Sequence, residues 1–398
     1  MSELSYLEKL LDGVEVEWKS LGDVVNFQRG RRLVKSQLET RGKYAVYQNS
    51  MTPLGYYHEY NVAAQSSFII CAGAAGEIGY SENEFWAADD VHFAITPEYI
   101  NDRFLFHFLL TQKNKISGQV RRASIPRLSK SVIEKLEFPI PCPDNPEKSL
   151  AIQSEIVRIL DKFTALTAEL TAELNMRKKQ YNYYRDQLLS FEDGEVEWKT
   201  LEEVLVDKFW IMPATPKFDD NGEIPYVTSK NISGGNIDFE RVKHISRDDF
   251  LSISKNRPIL KGDFLISMIG TIGEIARVKC LDPDFYGQNM YLIRLNEELL
   301  HPRYFLHFFD SPRMKFYFKS VKNNSGQGYL KANNIDGLSI PLPSIDEQQK
   351  IAFILDKFDT LTNPINEGLP REIELRQKQY EYYRDLLFSF PKPDTVNQ

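Results

Sequence analysis

The feature that most constrains how this chain folds is a long amphipathic segment that occurs twice. From residue 152 to residue 191, apolar side chains recur at intervals of three or four residues, with one step of seven across Arg177. A period near 3.5 residues is typical of a helix that packs along one seam, as in a coiled coil. No proline or glycine interrupts the segment. We therefore expect a helix of about 60 Å, which needs a partner of similar length to cover its apolar face.

The partner is predicted to be the second copy of the segment. The sequence ILDKF at 159–163 recurs at 354–358, and RKKQYNYYRDQLLSF at 177–191 recurs as RQKQYEYYRDLLFSF at 376–390. We expect the two helices to lie antiparallel, which makes the molecule pseudo-two-fold symmetric. Two ordinary core helices that were duplicated with their domains are the less favoured explanation, because both segments are long and polar on their outer faces.

The two copies differ in their interiors. The first contains the tetrapeptide TAEL twice in tandem, at 167–174. The second contains Pro364 directly after Asn363, and the sequence GLP at 368–370. Because proline lacks a backbone donor and clashes with the preceding turn, we expect the second helix to bend or break there.

A globular region precedes each copy, and the same motifs follow one another in both regions. EVEWKSL at 15–21 and EVEWKTL at 195–201 open the regions with a strand whose tryptophan is expected to be a core anchor. The sequences FPIP at 138–141 and IPLP at 340–343 close them. The chain is thus predicted to have an α+β fold, with two similar globular domains joined by two long antiparallel helices that form a coiled coil.

Within each region, an apolar strand runs into a glycine-containing turn, GAAGEIG at 73–79 and GTIGEIA at 270–276. A dinucleotide-binding loop is excluded by the glycine spacing and by the strand that follows, so we expect a hairpin. A short amphipathic helix comes next and contains His107 or His307. Neither histidine has a second ligand at metal-binding spacing, so both are expected to be packed core residues.

With 398 residues and 42% apolar content, the chain has material for two or three ordinary globular domains. The predicted parts are an N-terminal leader at 1–13, a first globular domain at 14–143, a first spacer helix at 144–192, a second globular domain at 193–343, a second spacer helix at 344–390 and a C-terminal tail at 391–398.

Several functional classes are excluded by what the sequence lacks. Cys71, Cys142 and Cys280 have no CxxC spacing, which argues against a zinc site or a disulfide framework and indicates a reducing cytosol. The N-terminus does not resemble a signal peptide, and no window approaches the ~18 apolar residues of a membrane span. The motifs GxxxxGK[ST], HExxH and GxSxG are missing, so the chain is predicted to be non-catalytic.

The distribution of charge points to nucleic acid, although the net charge is −7. Residues 26–50 contain six cations and one acid, residues 111–130 contain six cations and no acid, and residues 313–331 contain five cations and no acid. A single cluster would be an ordinary solvated basic loop. Three clusters at comparable places in a duplicated chain indicate contacts with phosphates.

As a set, these motifs resemble the specificity subunit of type I restriction–modification enzymes, and the resemblance covers the whole chain. FPIP, IPLP, EQQKIA at 347–352, the tandem TAEL and the two RxKQYxYYRD sequences are similar to the IC subgroup. The resemblance implies that each globular domain is a target-recognition domain for one half of a bipartite, asymmetric double-stranded DNA site. It also implies that the helices set the gap between the halves and dock two modification (methyltransferase) subunits, to which restriction (motor-nuclease) subunits add.

The resemblance further implies a cytoplasmic subunit with no cofactor, metal or membrane partner of its own. S-adenosylmethionine, ATP and Mg²⁺ are expected on the partner subunits. The alternative is a non-catalytic coiled-coil adaptor with two protein-binding domains, which explains the helices but not the cation clusters.

The DNA-contacting residues are predicted from chemistry, because the variable loops of the family carry no transferable motif. Lysine and arginine neutralise phosphates, and amides can bond adenine and arginine can bond guanine in the major groove. Candidates for base contacts directly follow strands, at 48–50, 228–231 and 288–289. Capping of the strand end is the alternative role for each of these side chains. The predicted DNA-contacting residues are Arg29, Arg31, Arg32, Lys35, Gln48, Asn49, Ser50, Gln119, Arg121, Arg122, Thr228, Ser229, Lys230, Asn231, Gln288, Asn289, Lys319, Lys322, Asn323 and Gln327.

Overall fold

A computed structural model describes residues 6–192, 194–213, 216–323, 328–363 and 368–392 as a mixed α+β fold. The chain divides into two compact units. Unit 1 comprises the residues up to Glu169 and those from Ile373 onward, and unit 2 runs from Leu170 to Glu372. Both boundaries fall inside helices. Each unit therefore combines one globular region with parts of both repeated helical segments.

The first globular region contains seven strands between residues 26 and 95, followed by three short helices and a closing strand, and a helix of 43 residues comes after it. In chain order the elements are α1 (Tyr6–Leu11), β1 (Val16–Ser20), α2 (Leu21–Val24), β2 (Asn26–Arg29), β3 (Tyr44–Tyr47), β4 (Gly55–Tyr57), β5 (Ser66–Ile70), β6 (Ile78–Ser81), β7 (Phe85–Ala87), β8 (Val91–Ile95), α3 (Asp102–Thr111), α4 (Lys113–Gly118), α5 (Lys130–Glu134), β9 (Glu137–Pro141) and α6 (Pro146–Leu188).

The second globular region has a similar order of elements with some additions. They are β10 (Glu197–Thr200), β11 (Leu205–Ile211), β12 (Ile224–Val227), β13 (Ile232–Ser233), β14 (Asn236–Ile237), β15 (Lys243–Ile245), α7 (Arg247–Ser254), β16 (Phe264–Ser267), β17 (Ile275–Arg277), β18 (Tyr286–Gly287), β19 (Met290–Leu295), α8 (Pro302–Phe309), α9 (Pro312–Val321), α10 (Ala332–Asp336), β20 (Ser339–Leu342), α11 (Ile345–Thr362) and α12 (Leu369–Leu387).

The two units share a sheet topology. In unit 1 a four-stranded antiparallel sheet has the order β2-β8-β5-β6, and a three-stranded sheet has the order β4-β3-β7, in which β3 and β7 are parallel. Unit 2 repeats both sheets as β11-β19-β16-β17 and β15-β12-β18. The opening strand of each region pairs with its closing strand, β1 with β9 and β10 with β20. The expected hairpins are β5–β6 and β16–β17.

The globular region and the helices of each unit share one hydrophobic core. In unit 1, Phe104 of α3 lies in the same buried cluster as Ile156 of α6 and Phe388, which follows α12. In unit 2, Phe305 of α8 lies in one cluster with Leu355 of α11. Burial of such aromatic and aliphatic side chains contributes about 1.5–3 kcal/mol each. Each globular region is therefore packed firmly on its own helical segments.

The repeated helical segments pair with each other, as predicted. In unit 1 the ring of Phe163 in α6 stacks on Tyr383 in α12, with centroids 5.2 Å apart. In unit 2 the ring of Tyr184 in α6 stacks on Phe358 in α11 at 5.4 Å. In both units the phenylalanine of an ILDKF sequence thus meets a tyrosine from the RxKQYxYYRD sequence of the other copy.

The second helical segment is broken where its prolines predict. Helix α11 ends at Thr362, the backbone of Asn363 is extended, and α12 begins at Leu369. Residues 364–367, including Pro364, lie outside the described residues. Within the described ranges, no helix is long and apolar enough to cross a membrane.

The prediction that both opening tryptophans are core anchors is wrong for Trp198, which is 37% exposed. Its counterpart Trp18 is half-buried against the first core, and its indole Nε1 donates to the carbonyl oxygen of Pro391 at 2.9 Å. In unit 1, Pro391 and Lys392 of the segment that follows α12 contact Trp18. A strand with alternating apolar residues does not reveal whether another segment covers its aromatic side chain.

Candidate nucleic-acid interface

The glycine turn of unit 1 joins two segments that the sequence analysis singled out separately. The backbone N–H of Ala74 donates to the carbonyl oxygen of Asn49 at 2.9 Å, and that of Gly73 donates to Pro126 at 3.1 Å. Gly73 has φ +79°, and a Cβ at this position would lie 2.7 Å from the Asn49 oxygen. Only glycine permits this close approach. The turn therefore brings the polar segment 48–50, which follows β3, next to the second cation cluster, residues 111–130.

The second cation cluster is held on this turn by backbone hydrogen bonds. Arg121 and Arg127 exchange two N–H···O bonds of 2.9 and 3.1 Å, and Leu128 donates to the carbonyl oxygen of Cys71 at 2.9 Å. The resulting loop displays Arg121, Arg122 and Gln119 as exposed side chains. A loop fixed in this way presents its cations from a rigid support.

The first cation cluster, which lies within residues 26–50, is hydrogen-bonded through its backbone to the end of β7 and the connection that follows it. Arg31 donates its backbone N–H to Ala87 at 2.9 Å, and Ala88 donates to Tyr47, the residue before Gln48, at 2.9 Å. A Cβ at Gly30 would lie 2.2 Å from the Ala88 oxygen, so only glycine fits there. Residue 31 and the residue before the polar segment 48–50 are thus bonded to the neighbouring residues Ala87 and Ala88, and the side chains of Arg29, Arg31 and Arg32 are exposed.

Unit 2 repeats this arrangement with different side chains. Thr271 in the glycine turn donates its hydroxyl to the carbonyl oxygen of Ser229 at 2.8 Å. Leu330 donates to Met268 at 2.9 Å, which holds the third cation cluster on the turn. Gln288 donates its backbone N–H to Val227, the last residue of β12, at 3.1 Å. The polar segments 228–231 and 288–289 and the third cluster therefore converge in unit 2.

A cationic cleft of about 390 Å³ lies beside the turn of unit 2. Lys319 and Lys322 line it together with Gly270, Gly273 and Glu274. Lys315 also lines it but forms an ion pair with Asp310 at 2.7 Å. The corresponding lysine of unit 1, Lys113, is similarly paired with Glu77 at 3.0 Å. The cation clusters thus contain lysines that form ion pairs within the domain, as well as cations whose side chains face the solvent.

The predicted DNA-contacting side chains differ in accessibility. Those classed as exposed are Arg29, Arg31, Arg32, Lys35, Asn49, Gln119, Arg121, Arg122, Lys230 and Lys319. Those that are half-buried are Gln48, Ser50, Thr228, Ser229, Gln288, Asn289, Lys322 and Asn323. Gln327 lies outside the described residues.

Asn231 is the exception, because it is only 5% exposed and its amide is bonded within the domain. Its Oδ1 accepts the N–H and the hydroxyl of Thr228, both at 3.0 Å, and its Nδ2 donates to the carbonyl oxygen of Arg241 at 3.1 Å. The prediction that Asn231 faces a base is wrong in this structure. Its role is the alternative one, to cap the end of β12.

Beneath the interface of unit 1 lies a polar contact that the sequence analysis missed. The Sγ of Cys71, the buried residue directly after β5, lies 2.7 Å from Nδ1 of His92. Burial raises the pKa of the thiol to about 12 and lowers the pKa of the imidazole. Both groups are therefore neutral near pH 7, and their contact links β5 to β8 under the turn. Among the described residues, no group of three or more His, Cys, Asp or Glu side chains is arranged to hold a metal ion.

Comparison with known proteins identifies the family. A family profile described as "Type I restriction modification DNA specificity domain" matches residues 13–177 and again 194–375. The chain belongs to this family. Both matches extend from a globular region into the helical segment that follows it, in agreement with the core that each region shares with its helices.

Curated relatives match this specificity protein over its whole length. The EcoR124I/EcoR124II specificity subunit of Escherichia coli is 42% identical over 100% of both chains. A putative type I restriction enzyme specificity subunit of Haemophilus influenzae is 35% identical over 97% of this chain and 98% of its own. The predictions of a type I specificity subunit with two DNA-recognition domains, and of a non-catalytic chain, are confirmed by this membership.

Solved structures share the fold. The S subunit of a type I system from M. genitalium matches with a TM-score of 0.62 at 16% identity, over 96% of this chain and 98% of its own. A chain from a structure on complex assembly and conformational transition of the type I system matches with a TM-score of 0.52 at 15% identity, over 94% and 97%. The predicted fold class is confirmed.

Proposed function

We propose that this specificity subunit recognises a bipartite, asymmetric double-stranded DNA target, and that each unit reads one half of it. The observation that carries the proposal is the convergence found in each unit. A polar strand end, a glycine turn and a cation cluster are distant in the chain, yet hydrogen bonds to backbone carbonyl oxygens hold them together. Such a surface combines phosphate neutralisation with side chains that can bond base edges.

The two halves of the target differ in sequence, because the two interfaces carry different side chains. Residues 48–54 alone connect β3 to β4 in unit 1. The corresponding connection of unit 2 contains a short 3₁₀ turn at Ser229–Asn231 and the strand pair β13–β14. One framework therefore displays two loops of different length and chemistry, which favours an asymmetric target.

Within each interface, the exposed lysines and arginines bind phosphates, and the amides and hydroxyls beside them bond bases. In unit 1 the base contacts come from Gln48, Asn49 and Ser50. In unit 2 they come from Ser229, Gln288 and Asn289, whereas Asn231 has a structural role. Half-burial of Gln48 and Gln288 favours this assignment, because a side chain that loses little freedom on binding costs less entropy.

The helices set the gap between the half-sites and dock two modification (methyltransferase) subunits, to which restriction (motor-nuclease) subunits add. Two exposed tyrosines at equivalent positions of the repeat, Tyr183 at 61% and Tyr382 at 64%, support two equivalent docking sites. S-adenosylmethionine, ATP and Mg²⁺ belong to those partners, and the complex works in the cytoplasm. The globular domains extend over 14–143 and 193–343, and the spacer helices over 144–192 and 344–390.

The proposal is tested by expressing the chain with its modification partner and mapping methylated adenines over the genome. We expect one asymmetric motif with two specified halves and a fixed gap of unspecified bases. Binding of the purified complex to that duplex should weaken steeply with salt, because phosphate contacts release counterions. Two results would contradict the proposal: a methylated motif that is one continuous sequence without a gap, or binding whose affinity does not change with salt concentration.

A further inference from the structure

A hydrogen-bond network centred on a buried histidine connects the globular region of unit 1 to both helical segments. His107 of α3 is 0% exposed and lies between Tyr380 of α12 and Asp161 of α6. Its Nδ1 is 2.8 Å from the tyrosine hydroxyl, and its Nε2 is 2.8 Å from Asp161 Oδ1. Arg103, one turn earlier on α3, donates its Nε to the same carboxylate oxygen at 2.9 Å.

Unit 2 contains the same network, built by the opposite copies of the repeat. His307 of α8 lies 2.8 Å from the hydroxyl of Tyr181 in α6 and 2.6 Å from Oδ1 of Asp356 in α11. Arg303 donates its Nε to Asp356 at 2.8 Å and its Nη2 to Asp359 at 3.2 Å. The aspartate of each ILDKF sequence and the first tyrosine of each RxKQYxYYRD sequence therefore meet at a histidine of the recognition region.

The protonation states of this His–Asp–Tyr network follow from its partners. A carboxylate only accepts hydrogen bonds, so Nε2 of each histidine carries the proton and Nδ1 accepts the tyrosine hydroxyl. Burial lowers the pKa of His107, against the opposing effect of Asp161, and burial raises the pKa of Tyr380 to about 12. Burial alone would raise the pKa of Asp356, but the hydrogen bonds of His307 and Arg303 lower it to about 2. A neutral His107 thus satisfies both Asp161 and Tyr380 without a proton change near pH 7.

These networks constrain geometry in a way that the surrounding apolar core does not. Apolar contacts are non-directional and survive small displacements. A hydrogen bond requires about 2.7–3.2 Å between heavy atoms and weakens steeply outside that range. The histidine ring bonds a tyrosine from one helical segment and a carboxylate from the other. Both bonds have good geometry only when the globular region occupies one particular position on the two helices. Buried polar groups that select one register among apolar alternatives are known in coiled coils.

We propose that the paired His–Asp–Tyr networks are positioning devices that fix each recognition region on its helices, and that they make recognition strict for the gap between half-sites. This inference rests on the proposed bipartite target. A recognition region that can shift on its helices would accommodate a duplex whose gap is one base pair longer or shorter. A region that is pinned at its histidine would not.

The test uses single hydroxyl deletions in the assembled complex of specificity and modification subunits, Tyr380→Phe for unit 1 and Tyr181→Phe for unit 2. Affinity is measured for duplexes with the cognate gap and with gaps one base pair longer and shorter. We expect either variant to keep its affinity for the cognate duplex within about twofold. The discrimination against the altered gaps should fall about fivefold, the factor that one hydrogen bond contributes.

The matched controls are Tyr383→Phe and Tyr184→Phe. These residues lie three positions further along each repeat and stack across the helix pair, so their hydroxyls lie outside the network. Both controls should discriminate between gaps as the unmodified chain does. Genome-wide methylation should show the same contrast, with sites of altered gap appearing only for Tyr380→Phe and Tyr181→Phe.

The outcomes separate this inference from the proposed function. If the unmodified complex does not prefer a bipartite duplex, the proposed function fails. If it does, but both deletions leave gap discrimination unchanged or relax the half-sites themselves, the positioning role is wrong. If both variants fail to assemble, the hydroxyls sustain the fold rather than its register, which would equally overturn the inference.

Discussion

Single residues at the interface divide into those that can reach DNA and those that the domain itself uses. Asn49 is exposed on the segment after β3, and its backbone oxygen anchors the glycine turn. Asn231 occupies the corresponding segment after β12, but its amide bonds Thr228 and Arg241. Two asparagines that both follow a strand therefore have different roles, and substitution should separate them.

Replacing Asn49 by alanine should relax one base position in one half of the target, at a cost of about 1–3 kcal/mol in binding. Replacing Gln48 by alanine should act on the same half.

Asn231→Ala should instead lower the melting temperature of the complex, because the Thr228 and Arg241 groups lose their buried partner. The methylated motif, mapped by sequencing, should be unchanged in Asn231→Ala. An unchanged motif in both Gln48→Ala and Asn49→Ala would contradict their assignment.

Cations of the second cluster should contribute to affinity without selecting sequence. Arg121→Ala should weaken binding to all duplexes alike and reduce the dependence of log K on log salt concentration by about one. Lys113→Ala is the control, because that lysine belongs to the same cluster but is paired with Glu77. Binding isotherms measured over a series of salt concentrations give the slope. A sequence-dependent loss in Arg121→Ala would show that the arginine contacts a base instead.

The secondary-structure elements could largely be predicted from the sequence, because their patterns are local. The 3.5-residue period predicted α6, the prolines predicted the break between α11 and α12, and the glycine spacing predicted the hairpins. Burial of individual side chains could not be predicted, as Trp198 and Asn231 show. Whether a side chain is covered depends on segments distant in the chain. The repeated sequences also gave no indication that their aspartate and tyrosine meet at a histidine of the recognition region.

The exposed tyrosines of the repeat provide a prediction for the helices. Tyr183→Ala should remove one modification subunit from the complex and Tyr382→Ala the other, because the two side chains occupy equivalent positions on α6 and α12. Loss of a central aromatic contact costs about 2 kcal/mol or more, which weakens docking roughly thirtyfold. Native mass spectrometry at limiting concentration gives the stoichiometry, which should fall from two to one in each single variant and to zero in the double variant. Tyr183→Phe is the control, because it keeps the aromatic ring and should retain both subunits. If the double alanine variant still bound two modification subunits, the docking sites would lie elsewhere on the chain.

Across the whole molecule, duplication explains both what is shared and what differs. Sheet order, hairpins, helix pairing and the His–Asp–Tyr network occur once in each unit, whereas the loops after β3 and β12 differ in length and side chains. The shared parts depend on core packing and hydrogen bonds that both copies need. The exposed side chains of these loops, such as Asn49 and Lys230, can change without loss of fold, whereas Asn231 cannot. This is why the sequence predicted the framework and left the target bases open.

The tandem TAEL at 167–174 lies inside the uninterrupted helix α6, which runs from unit 1 into unit 2. A third copy of the tetrapeptide should lengthen that helix by about 6 Å. Because a base step adds ~3.4 Å along one strand, the gap in the target should grow by about one or two base pairs, with both half-sites unchanged. Methylated adenines mapped in cells expressing the lengthened chain with its modification partner would report the new gap directly.

Inserting four residues into the loop between β3 and β4 of unit 1 is the matched control, and it should alter one half-site at constant gap. A TAEL insertion that altered the half-sites themselves would show that the helix does not act as a spacer.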